Sequence, residues 1–219
     1  CFNGDKYLRD ALDSVMKQTY QNWELIFWDN QSTDKSAEIL KSYADKRIKY
    51  YYGPKKTLLY EARNYALKNA LGEFVAFLDV DDWWSANKLE RQLPLFKDPL
   101  VGIVYGKYNI HDSILKKNRM PYFCCFPLAT GYITNELLKS YVVGLLTIVV
   151  RLKAIKDVSF FNKNYHIIGD FDLSINISLK WKFACVQEPI AFYRSHNNSE
   201  SQKNKLLFVS HYFCYYLLS

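Results

Sequence analysis

Apolar residues recur along the chain at two different spacings. A spacing of three and four residues marks one face of a helix, whereas short apolar runs bounded by polar residues mark buried strands. The pattern predicts helices over residues 5–19, 32–43, 58–71, 85–96 and 170–180. It predicts strands or extended segments over residues 23–28, 47–52, 73–78, 101–108, 145–151 and 184–193, and a long loop over 118–131.

Strand and helix alternate through the first half of the chain, which is typical of parallel βαβ units with right-handed crossovers. The predicted fold class is therefore α/β: a Rossmann-like, mostly parallel sheet flanked by helices. A length of 219 residues fits one domain. Residues 1–4 read as a turn with no strand before it, so we expect the first strand of the sheet to be missing from this sequence.

The net charge of +7 favours an anionic partner, such as a nucleic acid, an anionic membrane surface or a phosphorylated substrate. The basic residues are scattered and accompany no nucleic-acid-binding motif, so we expect no nucleic acid partner. Five cysteines without a C-x-x-C pair indicate reduced thiols in a cytoplasmic protein. No apolar run reaches the ~18 residues of a membrane span. The apolar tail 201–219 is left open as a core helix, an interfacial helix or the start of a span.

Three carboxylates follow the predicted strand 73–78 directly: Asp79, Asp81 and Asp82. A strand that ends in acidic residues places them at the carboxyl edge of the sheet, where open α/β sheets bind ligands. Three neighbouring carboxylates repel one another, which a surface turn could tolerate. A bound Mn²⁺ or Mg²⁺ ion would remove the repulsion. Such an ion would bridge the phosphates of a diphosphate and stabilise its departure.

Two further acidic sites end or begin predicted elements. Asp29 and Asn30 follow strand 23–28 and either form a loop with a helix cap or bind a base or ribose through their polar groups. Asp170 and Asp172 lie near the start of helix 170–180, where they either cap the helix or supply a general base.

Three basic or titratable side chains point less clearly to a function. Arg63 lies on the third predicted helix, as a solvated residue or as a charge partner for phosphate. Arg194 and His196 lie either in an ordinary loop or in a lid that carries them to the diphosphate.

Taken in order, these sites resemble the inverting GT-A glycosyltransferases of family 2, in a bacterial, non-processive form. Seven segments between residues 2 and about 200 carry the resemblance: Phe2-Asn3-Gly4 with Tyr7-Leu8, Gln18-Thr19-Tyr20 with Trp23-Glu24-Leu25-Ile26, Asp29-Asn30-Gln31-Ser32-Thr33-Asp34, Ala62-Arg63-Asn64 with Gly72-Glu73, Asp79-Val80-Asp81-Asp82, Asp170-Phe171-Asp172-Leu173 and Tyr193-Arg194-Ser195-His196. Asn30 stands where the family has a second Asp, and Gly169 stands where it has a Glu.

The resemblance implies a nucleotide-diphosphate sugar donor, most simply a UDP-sugar, and inversion at the anomeric carbon. Residues 1–110 would bind the donor, and residues 111–200 would hold the acceptor and the base. Asp170 would be the catalytic base. The implied substrate contacts are Phe2, Asp29, Asn30, Arg63, Asp79 and Arg194, and the implied metal ligands are Asp81, Asp82 and His196.

The leading hypothesis is a metal-dependent sugar transferase that acts on a glycan or lipid-linked precursor. Basic charge and the apolar tail suggest peripheral contact with the inner face of the membrane. A sugar nucleotidyltransferase would carry a Gly-rich basic loop after its first strand, and no such loop is visible in this sequence. A non-catalytic nucleotide- or glycan-binding relative is the other alternative, and replacing Asp170 would distinguish it from an enzyme.

Overall fold

The structure, a computed structural model, describes residues 1–165 and 167–196. Its helices are α1 (Leu8–Met16), α2 (Ser36–Lys41), α3 (Leu59–Leu67), α4 (Lys88–Gln92), α5 (Thr134–Lys139), α6 (Leu152–Asp157) and α7 (Gly169–Ser178). Its strands are β1 (Leu25–Asp29), β2 (Ile48–Tyr52), β3 (Phe74–Ala76), β4 (Trp83–Trp84), β5 (Val101–Asp112), β6 (Lys117–Arg119), β7 (Val149–Arg151) and β8 (Lys182–Ser195). Short 3-10 helices cover Leu93–Lys97, Tyr122–Cys125 and Leu145–Thr147.

The strands form two sheets. β1 and β2 pair in parallel, with Leu25 opposite Ile48 and Asp29 opposite Tyr52. The larger sheet has the order β3-β7-β5-β8-β4, with β6 paired to β5. Strands from the predicted donor half (β3, β4) and acceptor half (β7, β8) therefore lie in one sheet.

The α/β class is confirmed, and parallel pairing holds for the two longest ladders, β1 with β2 and β5 with β8. The four shorter pairings are antiparallel: β3 with β7, β5 with β7, β4 with β8, and β5 with β6. These strands are only two or three residues long, apart from the partners β5 and β8. Segments of that length show no hydrophobic period, so the sequence pattern does not reveal their direction.

Several predicted elements change their limits. Predicted helix 85–96 becomes α4 followed by a 3-10 helix, because Pro94 lacks the N–H that an α-helix needs. Predicted strand 145–151 becomes a 3-10 turn followed by β7. The predicted loop 118–131 begins with a strand, because residues 117–119 pair back onto β5 as a hairpin.

An apolar groove of about 640 Å³ separates the two sheets and is lined by residues of α1, β1, α3 and β3. At one end of the groove, Cys1 donates its amino N–H to the Trp28 carbonyl at 2.8 Å and accepts the Asn30 N–H at 2.8 Å. These two hydrogen bonds form the pattern of a parallel bridge. A strand preceding Cys1 stays a prediction; the groove beside β1 is where it would pair.

The main core lies between the larger sheet and helices α5, α6 and α7. Its fully buried members include Ile103 and Val150 of the sheet and Ile155 and Ile177 of the helices. Burying such side chains contributes about 1.5–3 kcal/mol each to the stability of the fold. The larger sheet and its helices therefore form a stable support for the residues at the edge of that sheet.

Candidate functional site

The acidic cluster forms a tight turn between β3 and β4. The Asp82 N–H donates to the Asp79 carbonyl at 3.2 Å, which closes the turn. Gly4 packs against it so closely that a Cβ at that position would lie 2.7 Å from the Val80 side chain. The acidic turn follows β3, as the strand pattern predicted, and it meets the N-terminal turn.

Asp79 is the most exposed of the three carboxylates, with half of its side chain open to solvent. Its Oδ1 accepts a hydrogen bond from Nη2 of Arg63 at 2.6 Å. Arg63 extends from α3 and is itself largely buried, so its charge is held beside the acidic turn. A fixed guanidinium at this point can bind phosphate oxygens in two-pronged geometry.

Asp81 lies beside His196, with 3.0 Å between Oδ2 and the imidazole Nε2. Burial raises the pKa of the Asp81 carboxyl, and repulsion from Asp79 adds to the rise, while His196 opposes it. The two residues are 115 positions apart in the sequence. Their pairing supports the sequence-based grouping of Asp81 with His196.

Asp82 is buried, with 3% of its surface exposed, and its Oδ1 accepts the backbone N–H of Arg194 at 2.9 Å. Burial raises the pKa of Asp82 well above its ordinary value, with further repulsion from Asp81 and Asp79. The side chain therefore joins the acidic turn to β8 rather than facing open space. Its role as a metal ligand stays a prediction, and this placement favours a supporting role.

Arg194 supports the same turn from its inner side. Nε donates to the Asp81 carbonyl at 2.8 Å, and Nη2 donates to Asp10 at 2.6 Å. The guanidinium also lies 4.6 Å from the ring centre of Tyr7 and 4.5 Å from that of Trp83, which adds cation–π attraction. With its donors engaged in this way, Arg194 is placed to hold the turn. Direct contact with the diphosphate stays a prediction that this geometry does not favour.

Asp170 occupies the first turn of α7, where the helix dipole favours a negative charge. The hydroxyl of the buried Tyr60 donates to Asp170 Oδ1 at 3.2 Å and to the Ile167 carbonyl at 2.7 Å. Burial raises the pKa of the Asp170 carboxyl, and the positive charge of Arg63 opposes the rise. A carboxylate with a raised pKa is a better proton acceptor, as a general base requires.

Asp29 and Asn30 are buried and hydrogen-bonded within the protein. Asp29 accepts the Ser32 N–H at 2.7 Å and the Tyr50 hydroxyl at 2.9 Å. Asn30 exchanges hydrogen bonds with Thr57, donating to its carbonyl and accepting its N–H. Contact with a base or ribose stays a prediction, and it would require one of these bonds to open.

Phe2 is exposed, and the ammonium of Lys56 lies 3.5 Å from its ring centre. The pair lies on the loops beside Asn30 and Thr57. An aromatic face next to a cation suits a planar base carrying phosphate. The contact of Phe2 with the substrate stays a prediction, which its exposed position allows.

Within residues 1–165 and 167–196, no three His, Cys, Asp or Glu side chains group closely enough to hold a metal by themselves. Mn²⁺ and Mg²⁺ commonly keep water and phosphate oxygens as ligands, so one or two protein groups suffice. Asp81 and His196 already have side-chain atoms 3.0 Å apart, and Asp79 lies two residues before Asp81 on the same turn. The donor set therefore fits a divalent ion that is bound together with a diphosphate.

Sequence reasoning missed the residues that support the site. Tyr60 precedes Arg63 by one helical turn on α3, and that i, i+3 spacing is the signal that could have found it. Tyr7, Asp10 and Trp83 surround Arg194, and no sequence spacing connects them.

Residues 1–194 match the family model described as glycosyl transferase family 2. The chain belongs to this family. Its place there confirms the resemblance read from the seven sequence segments.

Two curated relatives illustrate the likeness. The chain is 36% identical over 161 residues to "UDP-Glc:alpha-D-GlcNAc-diphosphoundecaprenol beta-1,3-glucosyltransferase WfgD" of Escherichia coli, an alignment that covers 73% of this chain and 60% of that one. It is 32% identical over 207 residues to the putative teichuronic acid biosynthesis glycosyltransferase TuaG of Bacillus subtilis, covering 91% of this chain and 78% of that one. This chain therefore matches only part of the WfgD protein.

Solved structures confirm the fold. The S. aureus TarS fragment in complex with UDP-GlcNAc has a TM-score of 0.75 at 20% identity, covering 90% of this chain and 57% of that one. The mannosyltransferase PcManGT from Pyrobaculum calidifontis, in complex with GDP-Man and Mn²⁺, has a TM-score of 0.77 at 15% identity, covering 100% of this chain and 62% of that one.

In the part of this chain that the structure describes, no helix is long and apolar enough to cross a membrane. The apolar tail 201–219 lies outside the described residues.

Proposed function

We propose that this domain transfers a sugar from a UDP-sugar to a hydroxyl group of a glycan or lipid-linked precursor, with inversion at the anomeric carbon. Arg63 carries the proposal, since it is hydrogen-bonded to Asp79 and interacts electrostatically with Asp170. One guanidinium thus joins the diphosphate edge to the candidate base. The named activity of WfgD, which uses UDP-Glc and a diphosphoundecaprenol acceptor, supports the donor and acceptor classes.

In the proposed reaction, Asp170 accepts the proton of the acceptor hydroxyl as its oxygen attacks the anomeric carbon. The bond from that carbon to the diphosphate oxygen breaks, and UDP leaves with the electron pair. Tyr60 orients the Asp170 carboxylate through its hydroxyl. Arg63 stabilises negative charge on the phosphates, and Asp79 fixes the orientation of the guanidinium.

A divalent ion would be held by Asp81 and His196, with Asp82 keeping the turn in place. When bound, Mn²⁺ or Mg²⁺ supplies charge neutralisation for the leaving diphosphate. Phe2 would stack on the base, with Asp29 and Asn30 shaping the loop beneath it. Arg194 would act through the acidic turn, which it holds by the Asp81 carbonyl.

The proposal places the domain in the cytoplasm, at the inner face of the membrane, where a lipid-linked acceptor would be found. Isothermal titration of UDP and of GDP, each with and without Mn²⁺, tests the donor site. We expect metal-dependent UDP binding that disappears in Asp81→Ala. Failure of both nucleotides to bind under every condition would favour a non-catalytic relative and overturn the proposal.

A further inference from the structure

The β5–β6 hairpin exposes two large aliphatic side chains at its tip. Ile114 is 70% exposed and Leu115 is 67% exposed. The carboxylate of Asp112 accepts the backbone N–H of both residues at 2.9 Å, which fixes the turn. The tip is therefore an ordered turn that exposes apolar side chains to water. This exposure costs free energy, which burial against a partner surface would recover.

A second exposed apolar group follows the hairpin in sequence. Tyr122 is 80% exposed and Phe126 is 51% exposed, and their rings meet edge to face with 5.2 Å between centroids. A tyrosine such as Tyr122, which combines an apolar ring with a hydroxyl, favours the boundary between lipid and water, and Phe126 adds apolar surface beside it.

Positive charge is interleaved with these apolar residues. Residues 114–126 contain Lys116, Lys117 and Arg119 and no carboxylate. Within the described ranges, none of the three lies within 4.0 Å of a carboxylate oxygen. All three side chains are exposed, and although Arg119 interacts electrostatically with Asp112, the segment 112–126 carries a net positive charge that complements an anionic surface.

The hairpin extends from the edge of the sheet that carries the acidic turn. His111 pairs in register with Arg194, and Asp112 pairs with Ser195. Arg194 in turn supports the acidic turn, and His196 contacts Asp81. A surface that binds the hairpin would therefore lie beside the candidate active site.

We propose that the segment 112–126 docks on an anionic lipid bilayer, with Ile114 and Leu115 inserted among the acyl chains and Lys116, Lys117 and Arg119 at the headgroups. Two signals, apolar insertion and basic charge, are what reversible anchoring to a bilayer requires. Only the consequence for catalysis, that docking brings the site to a lipid-linked acceptor, rests on the proposed function. A narrow tip with two aliphatic residues suits a fluid layer, since it forms no flat or concave face for a folded partner.

Co-sedimentation of the full chain with lipid vesicles tests this proposal. We expect binding to vesicles that contain phosphatidylglycerol, weaker binding to pure phosphatidylcholine, and weakening by added salt. Ile114→Ser with Leu115→Ser, and separately the three basic residues changed to Gln, should each lower the partition coefficient roughly tenfold or more.

Matched controls separate the hairpin from general surface character. Leu71→Ser with Leu179→Ser removes two other exposed leucines, and Lys17→Gln with Lys97→Gln and Lys180→Gln removes three exposed charges elsewhere. Both control variants should bind vesicles as the unsubstituted chain does. Thermal unfolding of every variant checks that the fold is retained.

Three outcomes would overturn the proposal: no vesicle binding by the unsubstituted chain, equal binding by the hairpin variants, or equal loss in the controls. Self-association without lipid that the hairpin substitutions abolish would assign the surface to a protein contact and would also overturn it. UDP titration of the same variants keeps the two proposals apart. Vesicle binding without UDP binding would reject the transferase function while leaving the docking surface in place.

Discussion

Gly169, directly before the candidate base, provides a sharp test of how the site is built. A Cβ at this position would lie 2.7, 2.7 and 2.8 Å from three carbon atoms of the Tyr60 ring. Tyr60 is buried, and its ring stacks on Phe161 with 5.3 Å between centroids. It therefore has little freedom to move away. Any side chain at position 169 would therefore meet the Tyr60 ring.

We predict that Gly169→Ala destabilises the protein. Overpacking a well-filled core costs about 1–3 kcal/mol. Because Gly169 is the first residue of α7, the entropy advantage of Ala over Gly is smaller here than the roughly 0.5–1 kcal/mol of a helix interior. The net expectation is a loss of about 1–2 kcal/mol in the free energy of unfolding, or ~2–8 °C in Tm for a domain of this size.

Urea unfolding of a double-mutant cycle measures this effect. In a Tyr60→Leu background the ring is gone, so Gly169→Ala should become neutral or stabilising. In a Tyr60→Phe background the ring remains, so the cost of Gly169→Ala should equal that in the unsubstituted protein. The contrast between the Leu and Phe backgrounds isolates the ring from the hydroxyl.

A Gly169→Ala variant that is as stable as the parent, or equally destabilised in the Leu background, would refute the packing argument. A displaced ring also affects function, because it moves the Tyr60 hydroxyl away from Asp170. Gly169→Ala should then lower the rate of donor turnover, with UDP affinity retained.

Three other substitutions test single groups. Asp170→Asn should reduce donor turnover about 10²–10⁴-fold without changing UDP affinity, and the parent's rate should fall as acid protonates a base whose pKa burial has raised; an unchanged rate would reject Asp170 as the base. Asp82→Asn should raise the free energy of unfolding at neutral pH, because burial raises the pKa of Asp82 and the folded protein therefore disfavours its charged form. The gain should vanish as the pH falls to about 3.8, where the carboxyl becomes protonated in the unfolded protein too, and a gain that persists there would contradict this explanation. Lys88→Met should also stabilise at neutral pH, because burial lowers the pKa of Lys88 and the folded protein disfavours its charge; the gain should shrink as pH rises toward 10.5, and urea unfolding across that range checks it.

The carboxyl edge of the sheet could be predicted from sequence because its signal is local. The apolar run 74–78 stops at Asp79, and the run 23–28 stops at Asp29. Both carboxylates were predicted at the ends of strands, although the structure places β1 and β3 in different sheets. The N-terminal turn connects the two sites, because the Asn30 N–H donates to the Cys1 carbonyl at 2.8 Å and Gly4 packs against Val80.

The supports behind that edge could not be predicted, because they depend on contacts between distant parts of the chain. Tyr60 and Asp170 are 110 residues apart, and Arg194 and Asp82 are 112 apart. β4 consists of Trp83 and Trp84 alone, which is too short to show a period. Packing of the whole core decides such contacts, and no residue pattern announces them.

The acidic turn illustrates the difference between a motif and a site. Its three carboxylates are equivalent in the sequence, but the fold gives each a different environment. Asp79 is half exposed and paired with Arg63, Asp81 lies against His196, and Asp82 is buried against a backbone N–H. Since a buried carboxylate costs free energy unless its charge is compensated, Asp82 is the one most readily protonated. Under the proposed function, Asp81 would therefore be the carboxylate that binds the metal ion and Asp79 the one that orients Arg63, while Asp82 would hold the turn in place.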